Sequence, residues 1–331
     1  MAESSSAAPA IEQHFVSTPS GDLELLGCSP SGDPEKSPIL CLHGAFCSAE
    51  DYRNFLPFFA SRGYPAYSLS IRGHGKSWTT SWMTRTLLTT LDDYVADIIA
   101  AATFIVRRHP EAPPMMLVGH SFGGGHLQYL LAYQGQNGPS LIQFGGLVLL
   151  ASAPLSGGGK EITANWEKVE APNGYKYPWS PRSQLETPDQ VRAAFFQPET
   201  DDEVIKKWLD DCRTVKEGIR TGISVFWPFG EARHVLKNLV GLQCDSGQSR
   251  KVLLVAASED RLVKPALVEE NAKAYVIAVG EASESGERLD TDEVVMSTSI
   301  HGSAHHLMMD LAWEFCVGRI IDWAEGRDLQ N

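Results

Sequence analysis

The feature that most restricts what this chain can fold into is Gly119-His120-Ser121-Phe122-Gly123, a Gly-x-Ser-x-Gly pattern. It follows the apolar run Met115 to Gly119 and opens a segment with helical spacing at Ser121. A buried strand that turns sharply into a helix strains the backbone at the bend. Residues two before and two after the bend must then be nearly free of side chain to avoid clashes. Gly119 and Gly123 meet that demand, so the pattern predicts a strand-turn-helix unit with Ser121 at its tip.

The flanking sequence repeats the same alternation. Pro38 to His43, Tyr67 to Ile71, Gly146 to Ala151, Lys251 to Ala257 and Val294 to Ser299 read as further strands. The first of these is continuously apolar, as expected where helices cover both faces of a parallel sheet. Leu91 to Arg108 has apolar positions at helical spacing and ends in Arg107-Arg108-His109-Pro110, a helix C-terminus. Helices are also expected from Pro265 towards Ala274 and from His306 to Glu325. The prediction is an α/β fold, a doubly wound and mostly parallel sheet. Residues 1–12 read as a flexible tail and Gly280 to Glu293 as a charged loop. Between Ser152 and Phe229 the alternation breaks into Gly, Pro and aromatic residues, which reads as an insertion. The domain division is therefore 13–154 and 236–331 for the core and 155–235 for the insertion.

With 41 acidic against 28 basic residues and a net charge of −13, the chain offers no basic stripe for nucleic acid. Its six cysteines are scattered without metal-ligand spacing, and there is no dinucleotide fingerprint, so neither a metal nor an organic cofactor is implied. Without a signal-peptide pattern or a bilayer-length apolar run, a reducing cytoplasm is the expectation. The implied partner is a small-molecule substrate, and the sequence leaves a homodimer open.

A serine hydroxyl becomes a nucleophile only when a base takes its proton, and the base needs a carboxylate to orient it. After the strand Lys251 to Ala257 the chain presents Glu259 and Asp260, of which Asp260 is the choice. After the last strand, His305 is the choice for the base, with His306 and His301 as alternatives. A tetrahedral intermediate also needs two backbone N–H donors. These are assigned to Phe122, which follows the serine, and to Ala45 in His43-Gly44-Ala45-Phe46, with Phe46 the adjacent alternative. His43 is read as orienting the loop.

These residues resemble the α/β-hydrolase superfamily from about residue 20 to 325. The likeness rests on His43-Gly44, Arg72-Gly73-His74-Gly75-Lys76-Ser77, Gly119 to Gly124, and the endings at Asp260 and His305. Where the family often carries an aspartate two residues before the arginine, this chain has Ser70. The resemblance implies an eight-stranded sheet, a mainly helical cap formed by the insertion, and a Ser-His-Asp triad. A serine at position 121 disfavours epoxide and halide chemistry and favours hydrolysis of an ester, lactone or thioester. A cofactor-independent lyase or cyclase and a non-catalytic receptor share the scaffold. Phe46, Trp179, Trp227 and His306 are the expected pocket residues, while most aromatics of the insertion are expected to form its own core.

Overall fold

The computed structural model describes residues 9–32, 36–81, 83–133, 142–169, 185–212, 217–243, 249–284 and 294–329. The chain opens with an antiparallel hairpin, β1 (Glu12–Thr18) and β2 (Gly21–Cys28). This hairpin was not expected from the sequence. β1 is largely exposed, so it lacks the apolar alternation that betrays a strand. β3 (Ile39–Leu42), α1 (Phe55–Ser61), β4 (Ala66–Leu69), α2 (Leu91–Arg108), β5 (Met115–His120), α3 (Phe122–Tyr133) and β6 (Phe144–Leu150) follow. α2 starts on a capping box between Thr90 and Asp93 and ends on Arg107 and Arg108, matching the charge preference of each helix end.

After β6 come α4 (Gly159–Trp166), α5 (Pro188–Phe195), α6 (Asp202–Asp211), α7 (Ile219–Ser224) and α8 (Ala232–Lys237). A small hairpin, β7 (Leu242–Gln243) and β8 (Ser249–Arg250), leads into β9 (Val252–Ala257), α9 (Pro265–Glu284), β10 (Val295–Ile300) and α10 (Trp313–Ala324). Eight strands form one sheet in the order β1-β2-β4-β3-β5-β6-β9-β10. The pairings of β2 with β1 and β4 are antiparallel and the other five are parallel. The expected doubly wound sheet is therefore present. One apolar core lies under α1 and α10, and a second on the opposite face under α2, α3, α8 and α9.

Two helix limits differ from expectation. α9 runs to Glu284, so Gly280 to Glu284 are helical rather than loop, and the remainder of that predicted loop lies outside the described residues. α10 begins at Trp313, not His306. The chain from His301 to Ala312 instead makes turns around the buried Asp310 carboxylate, which accepts the Ala304 N–H at 2.7 Å and the Thr200 hydroxyl at 2.6 Å. These bonds hold the chain away from helical pairing.

A third apolar cluster belongs to the segment between β6 and α8, with Phe195, Phe196, Ile205, Trp208 and Leu209 at its centre and Cys47 and Leu262 beneath it. The expected boundary at 235/236 falls inside α8, which packs on α3 and α9 of the main body. No helix among the described residues is long and apolar enough to cross a membrane.

Candidate active site

β5 delivers Ser121 to the carboxyl edge of the parallel strands, and the backbone there is strained. Ser121 has φ +52°, a left-handed conformation that costs a residue with a Cβ about 1–2 kcal/mol. The glycines show why the bend tolerates no side chains. A Cβ on Gly119 would lie 2.6 Å from the Gly124 Cα, and one on Gly123 would lie 2.3 Å from the His43 carbonyl oxygen. Such approaches let α3 start directly against β3 and β5, and the Ser121 N–H is fixed by the Leu150 carbonyl at 2.9 Å.

The three residues expected to act together meet here. His305 Nε2 lies 2.9 Å from Ser121 Oγ, and His305 Nδ1 lies 2.7 Å from Asp260 Oδ2. Asp260 Oδ1 accepts the Leu262 and Val263 N–H groups at 2.8 and 2.9 Å, so each carboxylate oxygen has its own donors and the side chain cannot turn. Glu259 and His301, the competing candidates, are both exposed. His120 was not singled out from the sequence, yet its Nε2–H donates to the His305 carbonyl at 2.9 Å and ties the histidine loop to the serine bend. Its place beside the serine within the motif was the available signal.

His306 is fully buried and outside the cavity that contains Ser121. It stacks on Phe196, and its Nε2 lies 3.2 Å from Asp51 Oδ1 and 3.1 Å from the Trp208 indole nitrogen. Burial opposes the charge on Asp51, but the hydrogen bond and charge of His306, with the Ser48 N–H, outweigh it and lower the carboxyl below its ordinary value. Cys47, Asp51 and His306 present ligand atoms within 4.8 Å of one another. His306 Nε2 sits against both the Asp51 carboxylate and the Trp208 indole nitrogen, so it is already occupied where a cation would need it, which favours a packed polar cluster.

The loop after β3 carries the other expected donors. Gly44 is pressed against the serine bend, where a Cβ would sit 2.9 Å from both His120 Nδ1 and Ser121 Cβ. His43 Nδ1–H donates to the Gly44 carbonyl at 2.8 Å while its Nε2 accepts the Ile71 N–H at 3.3 Å, which holds this loop to the turn after β4. Of the two neighbouring amides, Phe46 N–H is taken by Glu217 Oε1 at 2.7 Å. The amides of Ala45 and Phe122 meet no acceptor among the described residues. In the turn at Arg72, the aspartate that Ser70 replaces has a substitute. Glu24 of β2 accepts the Ser70 hydroxyl at 2.9 Å and the Lys76 N–H at 2.8 Å, while Arg72 pairs with Asp93 and Asp97 of α2.

The cavity over Ser121 measures about 170 Å³ and is bounded by Phe46, Ile162, Trp166, Phe195, Val225, Leu262 and Val263 together with Ala45, Phe122 and His305. Trp166 and Phe195 thus replace two of the expected pocket residues. Trp227 is 60% exposed and does not border the cavity, because the turn after α7 directs it outwards. Trp179 lies outside the described residues. A larger open groove of about 790 Å³ runs past Asp260 and Arg261 without reaching the serine.

A mostly parallel eight-stranded sheet with a serine on such a strand-to-helix bend defines an α/β-hydrolase-fold protein. A family model described as "Serine aminopeptidase, S33" matches residues 33–281, and the chain belongs to this family of α/β hydrolases. Over 105 residues the chain is 30% identical to a non-heme chloroperoxidase of Burkholderia pyrrocinia, a match spanning 32% of this chain and 34% of that protein. Among solved structures, it resembles a thermostable carboxyl esterase from Bacillus coagulans with a TM-score of 0.62 at 14% identity, over 96% of this chain and 98% of the other. An esterase from Rhodococcus sp. ECU1013 superposes with a TM-score of 0.59 at 15% identity, over 96% and 99%. At these identities the likeness establishes the fold.

Proposed function

We propose that the chain is a serine hydrolase that cleaves an ester, lactone or thioester of a small apolar or aromatic compound through an acyl-enzyme. The observation that carries this reading is His305, poised between Ser121 Oγ and Asp260 Oδ2 at 2.9 and 2.7 Å. Asp260 accepts a hydrogen bond from Nδ1–H, which leaves the Nε2 lone pair free to take the Ser121 proton as Oγ attacks the carbonyl carbon. The oxyanion is received by the Ala45 and Phe122 N–H groups. His305 then protonates the departing alcohol or thiol, and a water activated by the same histidine cleaves the acyl-enzyme.

The segment 155–235 acts as a cap in this reading. Its Ile162, Trp166, Phe195 and Val225 contribute to an apolar wall, which suits a short acyl or ring group. Among the described lining residues there is no carboxylate to hold a free α-ammonium group, which favours small esters over the N-terminus of a peptide. A panel of p-nitrophenyl esters of increasing acyl length, with lactones, thioesters and aminoacyl p-nitroanilides, tests both points. Fastest turnover is expected on short esters, with solvent oxygen entering the acid product. Turnover without solvent oxygen would indicate a lyase or cyclase, and tight binding without turnover a receptor.

A further inference from the structure

Glu217 lies between α6 and α7 in the proposed cap, and its side chain is 14% exposed. Its Oε1 accepts the Phe46 N–H at 2.7 Å and stands 2.9 Å from His74 Nε2. The other ring nitrogen, His74 Nδ1, lies 3.0 Å from the Arg72 carbonyl oxygen, which can only accept. Both ring nitrogens therefore face acceptors, and the ring satisfies both only as an imidazolium. Phe46 itself sits at φ +65°, a conformation that a residue with a side chain adopts only when its surroundings hold it there.

We propose that Glu217, paired with protonated His74, is a positioning residue for the oxyanion loop: it occupies the Phe46 amide, fixes Phe46 in its left-handed turn and leaves the Ala45 N–H to meet the oxyanion. This deepens, and rests on, the hydrolase reading. The pair also links three parts of the chain that the mechanism needs in register. These are the loop after β3, the Arg-Gly-His-Gly turn after β4, and the cap. A bare carboxylate one residue from the Ala45 donor would oppose the negative charge that builds up there, and the His74 proton removes that opposition.

The electrostatics agree with the geometry. Burial raises the Glu217 carboxyl, but the charge and hydrogen bond of His74, with the Phe46 N–H and the charge of His43, outweigh it and hold its pKa at about 2. Burial lowers His74, and Glu217 more than reverses this, so the imidazole pKa is raised. The other groups facing the pair are His43, whose ring is 4.8 Å from His74, Cys47 on the same loop, the Arg72 carbonyl, Arg85, Tyr94 on α2, and His126 on α3. None of these is a carboxylate, and the Phe46 amide is bonded by Glu217.

The test is steady-state hydrolysis of p-nitrophenyl butyrate across pH by the full-length wild type, Glu217→Ala and Glu217→Gln. Glu217→Ala is expected to lower kcat by about 10- to 100-fold with KM within about twofold, because the lost interaction acts on the transition state. Glu217→Gln keeps an acceptor for Phe46 but no charge for His74. It should retain kcat within a few-fold at neutral pH and lack the alkaline fall in kcat that the wild type shows as His74 loses its proton. If the alanine variant is too unstable to assay, the pH profile of the glutamine variant decides. An alanine variant with wild-type kcat, a KM effect alone, or a glutamine profile superimposable on the wild type would overturn the proposal while leaving the hydrolase reading intact. A wild type that turns over no ester and takes no label at Ser121 would overturn the hydrolase reading itself, a result visible without any variant.

Discussion

At the scale of single residues, two adjacent histidines carry opposite assignments. His305 touches Ser121 and Asp260, whereas His306 is locked against Asp51, Trp208 and Phe196. His305→Ala should abolish ester turnover with little change in Tm. His306→Ala should leave a cavity and an under-partnered Asp51, lowering stability by about 3 kcal/mol while the folded fraction stays active. Thermal melts and initial rates on both variants check this, and the opposite pattern would exchange the two roles. Asp260→Asn should reduce kcat by about 10⁴-fold without unfolding, because an amide favours the wrong imidazole tautomer. The neighbourhood of the proposed base was legible in the sequence because it follows the last strand. The choice within it rests on which side chain the turns around Asp310 leave facing the serine, and one sequence carries no such signal.

At the scale of elements, the candidate site exists because β3, β5, β9 and β10 all end at one edge of the sheet and each continues into a loop bearing one of the proposed groups. The serine bend was the most readable unit, since its glycines answer a steric requirement that spacing alone expresses. Gly123→Ala would drive a methyl into the His43 carbonyl and is expected to cost about 1–3 kcal/mol or more and to suppress activity, measured by chemical denaturation and ester assay. The N-terminal hairpin was not readable, because an exposed edge strand needs no apolar alternation. Glu217 was not readable either. It lies in a stretch without periodicity, and only folding brings it 171 positions back in the chain to Phe46. Aromatic content marked the proposed cap segment without giving direction, so Trp227 faces solvent while Trp166 borders the cavity.

At the scale of the whole molecule, the polar interior around the site should set how stability responds to acid. Burial, with the nearby His74 charge, lowers His43 to about 4, and burial lowers His126 to about 3. Unfolded, both would bind a proton near the ordinary value of about 6.5. The stability they confer is thus complete above that value and is lost as pH falls through the window down to their folded values, where the unfolded chain holds more protons. Tm should therefore drop as pH is lowered from about 6.5 towards 4, and His126→Leu should flatten that slope. An unchanged slope would remove His126 from the account. The most direct test of the central claim is mass spectrometry after treatment with a fluorophosphonate probe. One adduct on the peptide containing Ser121, absent in a folded Ser121→Ala variant that also turns over no ester, is the predicted result. Labelling or turnover that survives Ser121→Ala would contradict it.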